Sequence, residues 1–311
     1  MAKKQVTFAD IAEYTGFSKT TISRYFNHPD SLTLENQEKI AKALDELGYR
    51  KNKLARVLAN GKSEFVGIIV PNLYLHYYSE MLTQLLRSYS DYHYKFLVFV
   101  SDGGPEKEIQ YLDELMAYKI EGLIVLSHTL SSEKLASYNI PVIAIEREAE
   151  HICSVTTDNY MGGMQATSLL IRNQCDVLIH INVHVPENIP AYDRIRAFEE
   201  TCREYHVPYE LNLNVSGDSY QELFEQMRVI FQDIDSKYSG QKKGIFLSND
   251  TYANIFLNLI FQKYNCLPDE YQIIGFDNSP IAAESIIPIT TIGQQIDVIA
   301  QTTMELLVEQ M

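Results

Sequence analysis

From Phe65 onward the chain alternates short apolar runs with longer amphipathic segments, a pattern that few folds accept. The runs FVGIIV, KFLVFV, EGLIVL, PVIAI, VLIHINV, KGIFLS and QIIGF are almost wholly apolar, as strands buried on both faces require. Between them YSEMLTQLLRSYSDY, EKEIQYLDELMAYK, AYDRIRAFEETCREY and NDTYANIFLNLIFQKY place apolar residues at helical spacing. Strands alternating with helices predict parallel sheets covered by helices. The runs fill two sheets, with a boundary expected near CSVTTDNYMGG, at about residues 155–162. Ligands of open parallel sheets sit off the carboxyl ends of the strands, and two such sheets facing each other turn that place into a cleft.

The segment before this pattern differs in charge. Residues 1–62 hold 11 Lys and Arg against 7 Asp and Glu, whereas the rest holds 15 against 34. A basic head on an acidic body suggests that the head meets a polyanion. With 311 residues, 46% hydrophobic and 22% charged, two or three folded units are expected. No apolar run approaches the length needed to span a bilayer. The start MAKKQVTFAD lacks an apolar signal core, so a cytoplasmic location is expected. The four Cys stand far apart with no C-x-x-C pair, which argues against zinc and against a disulfide framework.

The stretch TFADIAEYTGFSKTTISRYFNHPD reads as two short helices around a turn. Thr7 with Asp10 makes a capping-box start, Phe8, Ile11 and Ala12 recur at helical spacing, and Gly16 permits the tight turn. Ser18 caps a second helix, Lys19 to Phe26, which His28-Pro29 ends. A third helix runs from the cap Thr33 through Ile40, Ala43, Leu44 and Leu47 to a left-handed cap at Gly48. This is a helix-turn-helix, whose second helix fits the DNA major groove. Ile22 and Phe26 face inward, leaving Lys19, Thr20, Ser23 and Arg24 for DNA. A small helical bundle without a ligand is the plainer alternative.

VTFADIAEYTGFSKTTISRYFN followed by LGYRKNKLARVLANGKSEFVGIIVP resembles the LacI/GalR family of bacterial transcription regulators, and with the motifs below the resemblance covers nearly the whole chain. It implies an all-α helix-turn-helix head (1–50), a hinge helix and linker (51–63), and an α/β periplasmic-binding-protein-like effector domain of two parallel-sheet subdomains (64–311). By the resemblance Lys19 and Thr20 read bases and Arg24 also contacts DNA. Lys donates to guanine N7 and O6, while Thr offers a hydroxyl and a methyl. Thr7, Ser18, Thr21 and Tyr49 would hold phosphate and fix the register. NKLARVLANG, with Asn52 and Arg56, would form the hinge and order on DNA, because it is too short to be a stable helix alone. Leu58 falls where the family inserts a minor-groove wedge, although packing would also explain an apolar residue there. Lys51 replaces the family's usual Pro, which loosens the start of the hinge and adds a phosphate contact.

Asp277, directly after the strand IIGF, is a carboxylate placed to accept paired hydrogen bonds from a diol. The resemblance aligns Arg194 in AYDRIRAF with an effector-contacting Arg, Ala197 replacing the family's Gly, and aligns Asn249 with a ligand-contacting position. TTIGQ offers Gln294 and TTDNY offers Asp158 and Asn159. VPNLYLHYYSE brings Tyr74 and Tyr77 to the cleft mouth, where sugar faces pack on aromatic rings and no Trp is available to do so. Glu146 stands where the family has Asp, reaching one methylene further. Plainer readings stay open: Asp158, Asn159 and Asn249 also suit helix caps, Arg194 and Asp277 a structural ion pair, and the tyrosines ordinary packing.

A phosphate-binding Gly-rich loop, a nucleophile elbow and a metal-spaced His/Cys cluster are all missing from the sequence, so no catalysis, cofactor or metal is expected. The resemblance implies a dimeric regulator, a repressor first, that reads a pseudo-palindromic operator and is released by a sugar or sugar phosphate. The alternatives are a cytoplasmic carbohydrate-binding or carbohydrate-processing protein, and a regulator needing a corepressor or a signal-transducing partner protein. The family runs on past the helix IDVIAQTTMELLVEQM, so either the second subdomain is expected to lack its last strands or the chain to be shortened. Without a leucine-heptad tail, a dimer is expected rather than a tetramer.

Overall fold

A computed structural model describes residues 6–49, 62–101, 104–147, 150–216 and 219–311. The chain divides into two compact units, Met1–Lys62 and Ser63–Met311. The hinge residues Lys51, Asn52, Arg56 and Leu58 lie outside the described residues.

In the first unit, α1 (Phe8–Thr15), α2 (Lys19–Asn27) and α3 (Leu34–Glu46) enclose Ile11, Ile22 and Ile40, which are fully buried. The ends of these helices follow the sequence signals. Thr7 and Asp10 form a reciprocal capping box, Ser18 accepts from the Thr21 amide, and Thr33 accepts from the Asn36 amide. Gly16 closes α1 at φ 75°, a left-handed backbone that costs glycine little. Beyond α3, Gly48 turns left-handed at φ 61° and lets the Tyr49 amide donate back to the Leu44 carbonyl. Phe8 stacks on Phe26 at 5.2 Å, and Tyr49 leans against both rings.

The second unit holds two five-stranded parallel sheets. The first has the order β2-β1-β3-β4-β5, from β1 (Phe65–Val70), β2 (Lys95–Val100), β3 (Gly122–Val125), β4 (Val142–Ile145) and β5 (Cys153–Val155). Its central register pairs Ile69 of β1 with Phe99 of β2 and Val125 of β3. The helices α4 (His76–Arg87), α5 (Tyr89–Tyr92), α6 (Gly104–Ala117) and α7 (Ser132–Ala136) connect these strands. The second sheet has the order β10-β9-β8-β6-β7, from β6 (Val177–Ile181), β7 (Tyr209–Asn212), β8 (Lys243–Leu247), β9 (Tyr271–Asp277) and β10 (Thr290–Gly293). Around it run α8 (Asn159–Arg172), α9 (Tyr192–Glu204), α10 (Tyr220–Lys237), α11 (Asp250–Tyr264) and α12 (Pro280–Glu284).

All seven apolar runs became strands. The three strands that no apolar run announced, β5, β7 and β10, are three or four residues long and lie at sheet edges or outer positions, where one face stays wet. The second sheet has five strands like the first, all of them before the last helix, and its last strand, β10, TTIG, has no apolar run. The chain passes from the first sheet to the second once, between β5 and α8. It then returns: α13 (Ile296–Gln310) buries Ile296, Ile299, Ala300, Met304 and Leu307 against the core of the first sheet. The first lobe is therefore discontinuous in sequence and the second is continuous, and segments near 156–158 and 294–295 link the two.

Candidate functional site

Because both sheets are parallel and their carboxyl ends face one another, the loops leaving β1, β3, β4, β6, β8 and β9 converge. They enclose a cavity of about 440 Å³, a size ordinary for small-molecule sites. Seven of the nine residues expected there line it: Tyr74, Tyr77, Glu146, Arg194, Asn249, Asp277 and Gln294.

Arg194 rises from the first turn of α9 and is buried. Its Nε donates to Asn159 Oδ1 at 2.7 Å and its Nη1 to the Ser248 carbonyl at 2.8 Å, while the guanidinium lies 3.7 Å from the centre of the Phe276 ring. Two of its three nitrogens and one face are thus committed to holding it still. Small residues make room for this geometry: Gly163 of α8 packs so tightly on α9 that an added Cβ would come within 2.8 Å of the Arg194 carbonyl. Ala197, at the family's Gly position, is fully buried in the same seam.

Asp277 ends β9 and is 3% exposed. Its Oδ1 accepts from Gln294 Nε2 at 2.7 Å, and Gln294 Oε1 accepts from Thr157 Oγ1 at 2.6 Å. Burial pushes the Asp277 pKa well above the usual carboxylate value, and the Arg194 charge pulls against that. The backbone there is at φ 109°, with Asn278 at 54°, conformations that non-glycine residues rarely adopt. Such strain persists where the surrounding structure imposes it and often marks a ligand site.

Glu146 lines the cavity and is held from the hinge, where Oε1 accepts from the Thr157 amide at 2.5 Å and Oε2 from Asn159 Nδ2 at 2.8 Å. Asn159 joins the lobes behind the cavity, binding Glu146 of the first and Arg194 of the second; it is 2% exposed and does not line the cavity. Asp158 caps α8 by accepting from the Met161 amide at 2.9 Å, and it borders a separate groove on the hinge side. Asn249 caps α11 through the Tyr252 amide and also faces the cavity.

Sequence reading missed Asn72, Tyr78, Asn182 and Tyr252 among the lining residues. Tyr78 and Tyr252 follow Tyr77 and Asn249 on helices already singled out. Asn182 follows β6 as Asp277 ends β9, and that strand-end position was its available signal. Across the cleft mouth, the His76 amide and Nδ1 both meet Thr251 Oγ1, at 3.2 and 2.9 Å. Burial lowers the His76 pKa, with Glu284 opposing.

In the first unit, α2 presents Lys19, Thr20 and Arg24 to solvent and half-buries Thr21 and Ser23. The Thr7 and Ser18 hydroxyls cap their helices, and Tyr49 is half-buried against Phe8 and Phe26. Among the described residues no group of three His, Cys, Asp or Glu is placed to hold a metal ion, and no helix is long and apolar enough to cross a membrane.

Comparison with known proteins finds matches along the chain. Residues 7–52 match "Bacterial regulatory proteins, lacI family", residues 63–196 "Periplasmic binding proteins and sugar binding domain of LacI family", and residues 170–311 "Periplasmic binding protein-like domain". A sucrose operon repressor of Streptococcus mutans is 31% identical over 304 residues, 96% of this chain and 91% of its own length. A periplasmic binding protein/LacI transcriptional regulator from Alkaliphilus metalliredigens, solved with D-xylulofuranose, is 26% identical with a TM-score of 0.67, covering 79% of this chain and 90% of its own. A Lac repressor dimer bound to operator and an anti-inducer shares the fold at a TM-score of 0.82 and 21% identity, covering 98% of this chain and 92% of its own.

Proposed function

Since the chain belongs to the LacI family of bacterial regulatory proteins, we propose that it is a sequence-specific DNA-binding transcriptional repressor whose operator affinity is set by a small carbohydrate in the interlobe cavity. The observation that carries this reading is one cavity in which a fixed guanidinium, a strained buried carboxylate and several tyrosine rings converge from two parallel sheets. A hydroxyl pair donates to Asp277 and accepts from Arg194, while a sugar face packs on Tyr74 or Tyr252. Gln294 orients Asp277, Asn159 and Glu146 hold Arg194, and Asn249 supplies an amide.

On the DNA side, Lys19, Thr20 and Arg24 read base edges, and Thr7, Ser18, Thr21, Ser23 and Tyr49 settle the head on phosphates. Asn52, Arg56 and Leu58 are assigned to the hinge on family resemblance. The protein works in the cytoplasm as a homodimer on a pseudo-palindromic operator and performs no catalysis. Effector controls DNA binding only through differential affinity: it must bind the operator-free conformation more tightly, and operator must then weaken effector by the same factor. The Glu146–Asn159–Arg194 bridge is suited to couple the cavity to lobe movement, because it joins both lobes behind the ligand.

The test is footprinting of the purified protein on DNA upstream of its own gene, titrated with pentoses, hexoses, disaccharides and their phosphates. A specific footprint released by one compound is expected, with affinity falling steeply as salt rises. No specific footprint under any condition would refute the proposal.

A further inference from the structure

The cavity's charge inventory separates free sugars from sugar phosphates, a distinction that rests on the carbohydrate reading above. Among the described lining residues, Glu146 and Asp277 are carboxyl groups and Arg194 is the one Lys or Arg. Arg194 has committed Nε to Asn159, Nη1 to Ser248 and one face to Phe276, which leaves Nη2 to meet a ligand. His128 and His184 also face the cavity. His128 is open to solvent in the cleft, yet the protein around it and the Arg147 charge lower its pKa to about 4, so it is neutral at physiological pH. His184 is exposed.

A phosphate ester brings a charge of about −1.5 to −2 at neutral pH and is ordinarily held by clustered Arg and Lys or by free amides at a helix start. Three helices begin at this cavity, and several amides of their first turns already have acceptors. At α4 the His76 amide donates to Thr251 and the Tyr78 amide to Leu75. At α9 the amides of Tyr192, Asp193 and Arg194 donate to preceding carbonyls. At α11 the Tyr252 and Ala253 amides are taken by Asn249. Asp193 and Asp250 stand in the first turns of the last two and oppose a further anion.

What the cavity does offer suits hydroxyl groups. The Tyr77 hydroxyl is buried with no hydrogen-bond partner in the structure, and Asn72, Asn182 and Asn249 add amides that donate and accept. A buried polar atom without a partner carries a cost that a ligand hydroxyl removes. We infer that the cavity takes an uncharged, unphosphorylated sugar or polyol and rejects the corresponding phosphate ester.

The experiment is isothermal titration calorimetry of the full chain at neutral pH with matched pairs: ribose and ribose 5-phosphate, glucose and glucose 6-phosphate, fructose and fructose 6-phosphate, sucrose and sucrose 6-phosphate. For the pair that binds, the free sugar is expected at least tenfold tighter than its ester. His128→Lys, which adds a cation to the cavity wall without touching Arg194 or Asp277, should narrow that gap at least threefold. An ester binding as tightly as its free sugar, or more tightly, would overturn the inference and leave the carbohydrate reading standing. Failure of every member of every pair to bind would instead overturn the carbohydrate reading, and the inference with it.

Discussion

Replacing Asn159 by Ala removes a side chain that touches no ligand yet is expected to cost the protein its effector. In the structure Asn159 Oδ1 accepts from Arg194 Nε at 2.7 Å, and its Nδ2 donates to Glu146 Oε2 at 2.8 Å. Both partners are buried and ionisable, so each bond is of the charged kind, worth roughly 1.5–3 kcal/mol. The two losses together would exceed about 3 kcal/mol if nothing relaxed. A cavity of about 440 Å³ lies beside them, however, and water entering from it restores part of the pairing. The expected loss of stability is therefore about 2–4 kcal/mol. With no Trp and 21 Tyr in the chain, urea unfolding is best followed by circular dichroism and tyrosine emission together. Effector affinity should fall at least tenfold, because a guanidinium freed at Nε no longer presents Nη2 at a fixed angle. Asn159→Asp provides the control: it keeps an acceptor for Arg194 but sets a carboxylate against Glu146, so it should disturb coupling between the lobes more than Arg194 itself. A loss below about 1 kcal/mol in Asn159→Ala, with effector binding unchanged, would refute the bridging role.

Three further outcomes are expected. Burial raises the Asp277 pKa, so folding takes up a proton there; its contribution is fully present below the ordinary value of about 3.9 and is lost as pH rises through the folded value. Asp277→Asn should therefore become more stable than the parent as pH rises, by urea midpoint, while losing effector binding; parallel pH profiles would contradict this. Gly163→Ala forces a methyl against the Arg194 backbone and should destabilise by about 1–3 kcal/mol and weaken effector binding, measured by urea unfolding and calorimetry. Lys19→Ala should cost about 1–3 kcal/mol of discrimination at one base position, read by comparing the operator with its single-base variants; an equal loss on random DNA would make Lys19 a phosphate contact instead.

Local signals were enough for the head and for most of the body. Thr7, Ser18 and Thr33 cap the helices they were expected to cap, and Gly16 and Gly48 turn left-handed, as glycine does at least cost. Six of the seven apolar runs form strands that a sheet covered on both faces buries almost completely, and the seventh, β2, lies half-buried at an edge. The edge strands β5, β7 and β10 escaped notice because a strand with one wet face needs no apolar run, although β2, also at an edge, carries one; the path of α13 back to the first sheet has no local marker at all.

The cleft divides along the same line. The order of strands and helices in the sequence placed Asp277, Asn249 and Glu146 at the carboxyl ends of parallel strands, since a parallel strand can deliver its following residues to only one end. Which of them face a ligand depended on partners far away in the chain: Thr157 meets Gln294 across 137 residues, and Arg194 meets the Ser248 carbonyl across 54. Those pairings tied Glu146 at the cavity wall to Asn159 in the bridge behind it, and left Asp158 as a cap. Sequence alone determined which chemical groups reach the cleft end of the sheets, because backbone periodicity and direction are local properties. Only the tertiary structure decided which groups are spent on holding the site and which remain for a ligand, because a hydrogen bond is allotted by distances that exist only once the two lobes have come together.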